Sequence, residues 1–208
     1  MSIVFPRLYA IMDAGLIKTS LMACAEMLAE AGVAIVQIRD KRASSRDFLQ
    51  VSMQLSGFFK RRGVRLIVND RPDLVLLADA GGVHLGQDDV EYGVARLVCG
   101  GDRWVGISTH SVEQVRRANE SPLDYIAVGP IFPTSTKSDP GPSFGLDLIR
   151  RARALTTKPL VAIGGITLEL APKAFEAGAD SIAVAKALLI CLDPERRAKD
   201  FLAVTSKG

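Results

Sequence analysis

Tyr125-Ile-Ala-Val128 runs through Gly129-Pro130-Ile-Phe into Pro133-Thr-Ser-Thr-Lys137: four apolar residues, a Gly-Pro turn, then three hydroxyls and one ammonium. A buried strand that opens at its C-terminal end into such donors has the form of an anion-binding loop. The form recurs along the chain. Ala34-Ile-Val36 leads into Gln37-Ile-Arg39-Asp-Lys41, and Leu66-Ile-Val68 ends at Asn69-Asp70. Polar chemistry that keeps appearing where an apolar strand stops is the pattern of a β/α enzyme with its site on one rim.

Outward from these three, short Val- and Ile-rich runs occur at Leu8–Ile11, Ala34–Ile38, Leu66–Val68, Val83–Leu85, Val105–Ile107, Tyr125–Val128, Leu160–Ile163 and Ile182–Val184. Their length and β-branching favour buried parallel strands. Helical patterns lie between most of them. Ser20 to Ala31 places Leu21, Cys24, Leu28 and Ala31 on one face, and Ser45 is the expected N-cap of Arg46 to Arg62. Ser111 is expected to cap Val112 to Asn119; Leu146 to Leu155 is amphipathic, and Leu168 to Ala177 ends at Gly178, an expected C-cap. Alternating strands and helices on this scale predict an α/β fold, a compact (β/α)8 TIM barrel forming a single domain over residues 1–208. An open doubly wound sheet is the alternative, but no Gly-x-Gly-x-x-Gly follows the first strand to support its dinucleotide form. The Pro/Gly-rich stretch Ser138 to Gly145 is the expected lid.

Composition excludes several classes. A net charge of +3 in 208 residues is too mild to call for nucleic acid, yet it tolerates a polyanionic small substrate. Cys24, Cys99 and Cys191 are odd in number and lack Cys-x-x-Cys spacing, so each is expected to be a small hydrophobe in a reducing compartment. No stretch reaches the ~20 apolar residues of a membrane span. The first residues lack the charged start, apolar core and small-residue cleavage site of an export signal. A cytoplasmic protein with neither membrane nor nucleic-acid partners is expected; a homo-oligomer is compatible with the sequence.

Gln37, Arg39 and Lys41 alternate along an extended segment and are expected on one face, where two cations and an amide suit a phosphate or pyrophosphate. Asp70 and Asp89 each follow a strand, and two carboxylates at neighbouring strand ends suit one hard cation such as Mg²⁺. The alternative makes Asp89 a helix N-cap, a role open to Asp88 as well. His84 alternates with Val83 and Leu85 and reads as an interior filler. Ser108, in Gly106-Ile-Ser108-Thr-His110, lacks a nucleophile-elbow setting and suits a hydroxyl donor to phosphate. Gly164-Gly165 follows the seventh strand and lets backbone N–H groups approach an anion, and the eighth strand ends at Val184-Ala-Lys186.

Gln37-x-Arg39-x-Lys41, Asn69-Asp70, Val83-His-Leu-Gly-Gln-Asp-Asp89, Gly106-x-Ser108-x-His110, Gly129-Pro-Ile-Phe-Pro-Thr134-x-Thr136-Lys137 and Gly164-Gly165-Ile166, in this order, resemble the thiamine phosphate synthase family over nearly the whole chain. The resemblance implies a TIM barrel that uses Mg²⁺ to join a pyrimidine diphosphate to a thiazole phosphate. It implies that Gln37 holds the pyrimidine, that Arg39, Lys41, Asn69, Ser108 and Lys137 surround the pyrophosphate, and that Asp70 and Asp89 ligate the metal. It further implies that Thr134 and Thr136 line the thiazole phosphate side and that Gly165 supplies a backbone donor. Of these, Arg39, Lys41, Ser108 and Lys137 are the expected catalytic group.

Two positions depart from the family pattern. Lys186 stands where the family usually has a Ser that donates to the thiazole phosphate, and Lys186 either serves that phosphate as a point charge or crowds it. Gly81 stands where the family usually has Asp. The related thiazole tautomerases are the nearest rival: His110 lies where their acid/base histidine falls, but they generally lack cations equivalent to Arg39, Lys41 and Lys137. A non-catalytic sensor of thiazole or thiamine phosphate and another barrel enzyme acting on a sugar phosphate are the more distant readings.

Overall fold

The computed structural model describes residues 5–134 and 143–205. Eight strands, β1 (Leu8–Asp13), β2 (Ile35–Arg39), β3 (Arg65–Asn69), β4 (Gly82–Leu85), β5 (Trp104–Thr109), β6 (Tyr125–Val128), β7 (Leu160–Ile163) and β8 (Ser181–Val184), pair in parallel in chain order and close into a barrel through β1 and β8. The expected (β/α)8 barrel is therefore present, and the open sheet is ruled out. The helices are α1 (Leu21–Glu30), α2 (Ser45–Lys60), α3 (Pro72–Leu77), α4 (Tyr92–Cys99), α5 (Val112–Asn119), α6 (Gly145–Arg153), α7 (Ala171–Glu176), the single-turn α8 (Lys186–Leu189) and α9 (Pro194–Thr205).

The strands alternate their side chains between two cores, as a period of two requires. Outward-facing residues such as Ala10, Val36, Val68, Val83, Val105, Ile126, Ala162 and Ile182 pack under the helices. Inward-facing Tyr9, Ile11, Ile35, Ile67, Tyr125, Ala127, Val161 and Ala183 fill the barrel, with Phe5 below them. Phe5 stacks on Trp104 at 5.1 Å between ring centroids, and the Arg65 guanidinium lies 4.1 Å over the other aromatic system of that pair, Trp104. The N-terminal end of the barrel is thus filled by side chains. Its polar residues gather at the opposite rim.

Local chemistry adjusts several expected boundaries. Ser44, not Ser45, caps α2: its hydroxyl accepts from Asp47 N at 3.1 Å and donates to the Asp47 carboxylate at 2.7 Å. Such a cap contributes about 1 kcal/mol, while Ser45 Oγ instead accepts from Arg71. Ser111 caps α5 as expected. The seventh helix begins at Ala171 rather than Leu168, because Pro172 has no N–H to give and belongs in the first turn. Cys24 and Cys99 are buried and Cys191 is half-buried, and burial pushes the Cys24 thiol up to about 11. No helix among the described residues is long and apolar enough to cross a membrane.

Candidate active site

A cavity of about 720 Å³ opens at the C-terminal rim, and every strand end contributes to its lining. Asp13, Arg39, Asn69 and His84 come from the first four strands, Ser108 and His110 from β5 and its exit, Thr134 and Gly165 from the loops that follow β6 and β7, and Lys186 from the start of α8 after β8. Gln37 lies deeper, 3% exposed, with its Nε2 donating to Tyr9 Oη at 2.8 Å.

Asp13 and Arg39 are register partners in the β1–β2 ladder, and Arg39 Nη1 donates to Asp13 Oδ2 at 2.5 Å. The other carboxylate oxygen accepts from Gly15 N at 2.9 Å. Asp13 had no role in the sequence reading; its signal was there, since it ends the first strand with a polar side chain as Arg39 and Asn69 end theirs. Lys41 departs from expectation. β2 stops at Arg39, and the Asp40 carboxylate accepts from Arg42 N and Ala43 N, which turns the backbone. Lys41 therefore does not continue the strand face of Gln37 and Arg39. Its half-exposed ammonium instead sits 2.5 Å from Asp70 Oδ2.

Asp70 adopts φ +63, a conformation that Asp and Asn tolerate better than most residues, and its N–H is fixed by His84 O at 2.8 Å. Burial, foremost, and then a hydrogen bond that the protonated carboxyl donates to Asp89 raise its carboxyl above the usual range, while Lys41 pulls the other way. Asp89 Oδ2 also accepts from Gly86 N at 2.7 Å. Neither Asp88 nor Asp89 caps the following helix, because the Glu91 carboxylate takes the Gly93 and Val94 amides. Asp70 and Asp89 lie within hydrogen-bonding reach of one another, and two carboxylates so placed fit one hard cation that completes its shell with water and phosphate oxygens. Among the described residues no group of three or more His, Cys, Asp or Glu side chains gathers as a metal site. Lys41, Asp70 and Asp89 form a charged cluster that is not part of the cavity lining itself.

Across the rim, Ser108 Oγ lies 2.9 Å from His84 Nε2, and the Ser108 carbonyl accepts from Gln87 Nε2 at 2.6 Å. His84 is interior, as expected, but it is bonded rather than a mere filler. His110 reaches across to β6, with Nδ1 2.5 Å from the Gly129 carbonyl, and its ring stacks on Phe144.

The loops after β6 and β7 are interlocked. Ile131 N donates to Ile163 O and Phe132 N to Gly164 O, at 2.9 and 3.0 Å. Gly164 and Gly165 both have positive φ, and a Cβ on Gly165 would lie 2.5 Å from the Pro133 carbonyl oxygen. The glycine pair is required by this close packing as well as by its expected approach to an anion. Thr134 and Lys186 line the cavity beside it. Thr136, Lys137 and most of the expected lid, 138–145, lie outside the described residues. Gly81 is not a missing ligand: it precedes β4 at the opposite end of the barrel, and a Cβ there would meet Arg65 Cγ at 2.6 Å.

The family described as thiamine monophosphate synthase matches residues 8–188. The thiamine-phosphate synthase of Koribacter versatilis is 45% identical over 204 residues, covering 96% of this chain and 95% of its own length. That of Chloroflexus aurantiacus is 41% identical over 201 residues, covering 96% and 93%. Among solved structures, the thiamine phosphate pyrophosphorylase from Pyrococcus furiosus superimposes with a TM-score of 0.87 at 28% identity, covering 97% of this chain and 96% of that one.

Proposed function

The chain belongs to the thiamine monophosphate synthase family, and we propose that its barrel joins 4-amino-2-methyl-5-hydroxymethylpyrimidine diphosphate to 4-methyl-5-(2-hydroxyethyl)thiazole phosphate, releasing thiamine phosphate and pyrophosphate. One observation carries the reading beyond kinship. A single cavity has Arg39, Asn69 and Ser108 on one flank and Gly164, Gly165 and Lys186 on the other, two sets of anion donors around one space.

The bond from the pyrimidine methylene to the diphosphate oxygen breaks with its electron pair leaving on pyrophosphate. The ring's amino group feeds electron density to the methylene carbon. The thiazole nitrogen lone pair then forms the new C–N bond, so no net proton transfer is needed. Such chemistry asks for stabilised leaving-group charge and exclusion of water rather than a nucleophile. Arg39, Lys41, Asn69, Ser108 and Lys137 are assigned to the diphosphate, Gln37 to the pyrimidine, and Thr134, Thr136, Gly165 and Lys186 to the thiazole phosphate. Asp70 and Asp89 are assigned to Mg²⁺. Bound there, the ion supplies positive charge to the departing pyrophosphate. We read residues 1–208 as one domain acting in the cytoplasm on these small molecules, a reading compatible with a homo-oligomer.

The test is direct. Purified protein is given both phosphorylated substrates with Mg²⁺ or with EDTA, and thiamine phosphate is measured as fluorescent thiochrome. Product with Mg²⁺ and none with EDTA is expected. Folded protein that makes no product under either condition overturns the assignment.

A further inference from the structure

Five polar side chains form one continuous line through the enclosed part of the barrel. Gln37 Nε2 meets Tyr9 Oη at 2.8 Å, Tyr9 Oη meets Tyr125 Oη at 3.1 Å, Tyr125 Oη meets His84 Nδ1 at 2.9 Å, and His84 Nε2 meets Ser108 Oγ at 2.9 Å. All five are buried, with the two phenols 1% and 0% exposed. The line depends on Gly106: the Tyr125 ring occupies the place any Cβ there would take, and it stacks on the His84 imidazole. Burial raises both phenols above their ordinary range, so each keeps its single hydrogen at neutral pH.

One direction of donation gives every hydrogen of this line an acceptor. The Gln37 amide nitrogen can only donate, so Tyr9 Oη accepts from it. The Tyr9 hydrogen is then available to Tyr125 Oη, its acceptor in this line. In that direction Tyr125 gives its own hydrogen to His84 Nδ1. A neutral imidazole that accepts at Nδ1 carries its proton on Nε2 and donates to Ser108 Oγ. The Ser108 hydrogen is left to turn into the cavity that Ser108 lines.

We propose that His84 is a positioning residue: Tyr125 holds it neutral with the proton on Nε2, and it thereby presents the Ser108 hydroxyl as a donor to the leaving diphosphate. The identity of the acceptor rests on the proposed function; the proton arrangement does not. Through His84, the residue assigned to the pyrimidine and the residue assigned to the diphosphate share one hydrogen-bond line.

The tautomer is read from long-range ¹H–¹⁵N correlations on the ¹⁵N-labelled, ligand-free full chain at pH 7. With two histidines the spectrum is simple. His110, whose Nδ1 faces a carbonyl oxygen, is expected to carry its proton on Nδ1, and the His110→Gln variant assigns the signals. His84 is expected as the opposite tautomer. An Nδ1-protonated or imidazolium His84 overturns the proposal. In kinetics, Tyr125→Phe is expected to lower kcat roughly tenfold, less than the loss of a whole oxyanion donor, with KM changed less than about twofold. In a Ser108→Ala background the same substitution is expected to change kcat by less than about twofold. An equal kcat loss in both backgrounds overturns the route through Ser108. Should Tyr125→Phe fail to fold, the wild-type spectrum decides alone. Absence of product from wild type counts against the proposed reaction and leaves the spectrum to judge the proton arrangement.

Discussion

Arg39 is held by Asp13, its register partner on the neighbouring strand, through a 2.5 Å contact at the edge of the cavity that both residues line. The cation's position is set before any anion arrives. Preorganisation of this kind removes a reorganisation cost from the reaction. Asp13→Asn keeps an acceptor for Gly15 but loses the charge, and is expected to lower kcat/KM for the diphosphate substrate about tenfold. Arg39→Ala strands a buried carboxylate and is expected to cost on the order of 1–3 kcal/mol of stability as well as activity. Steady-state kinetics and urea melts of the two variants separate the effects.

Asp70 pits stability against function. Burial, followed by its contact with Asp89, raises its carboxyl in the folded protein. The folded state therefore binds this proton more tightly than the unfolded chain does. Asp70's contribution to stability is fully present below the ordinary carboxyl pKa of about 4 and is lost as pH rises through the raised folded value. Asparagine tolerates the positive φ and carries no charge. In metal-free buffer, Asp70→Asn is expected to melt with wild type at about pH 4 and above it as pH rises. Its Mg²⁺-dependent activity is expected to fall roughly 100-fold or more. A variant that is both active and no more stable than wild type at pH 7 contradicts both assignments.

Gly165→Ala tests the interlocked loops. A Cβ at φ +67, 2.5 Å from the Pro133 carbonyl oxygen, forces the loop after β6 away. Stability is expected to drop by about 1–3 kcal/mol. KM for the thiazole phosphate is expected to rise more than KM for the pyrimidine diphosphate, because Gly165 lies on the flank assigned to the thiazole phosphate. Equal effects on both substrates contradict that division of the cavity.

Lys186 lines the cavity after β8. If its charge serves the thiazole phosphate, Lys186→Ala raises KM for that substrate roughly tenfold, and the wild-type KM rises with salt more than the variant's does. Lys186→Ser is expected to restore part of the affinity through a hydroxyl donor. A lower KM in the alanine variant identifies Lys186 as crowding instead.

The barrel was legible because its strands are short β-branched runs stopped by glycine, proline or polar residues. Tyr125–Val128 and Leu160–Ile163 match the observed strands residue for residue. β1, β2, β3 and β5 run on past the apolar run to Asp13, Arg39, Asn69 and Thr109, since backbone pairing continues where inward side chains turn polar. Hydropathy stops too early at a site of this kind. Lys41 failed for the opposite reason: alternation was carried one residue pair beyond the strand. α9 escaped notice because its buried Ala198, Phe201 and Thr205 are spaced along an otherwise charged helix. The polar line escaped because Tyr9 and Tyr125 read as core residues, and nothing in sequence says that two phenols 116 positions apart touch.

Phe5 and Trp104 floor the barrel, and so the cavity is approached from its rim. Two substrates and two products must then use the same doorway. Gln37, assigned to the pyrimidine, lies deeper than Lys186 at the start of α8. A thiazole phosphate seated early obstructs the way down, whereas a pyrimidine diphosphate seated early leaves the outer berth open. The traffic is expected to be ordered, diphosphate first, with excess thiazole phosphate acting as a substrate inhibitor. Initial rates across a grid of both concentrations show it as inhibition relieved by more diphosphate.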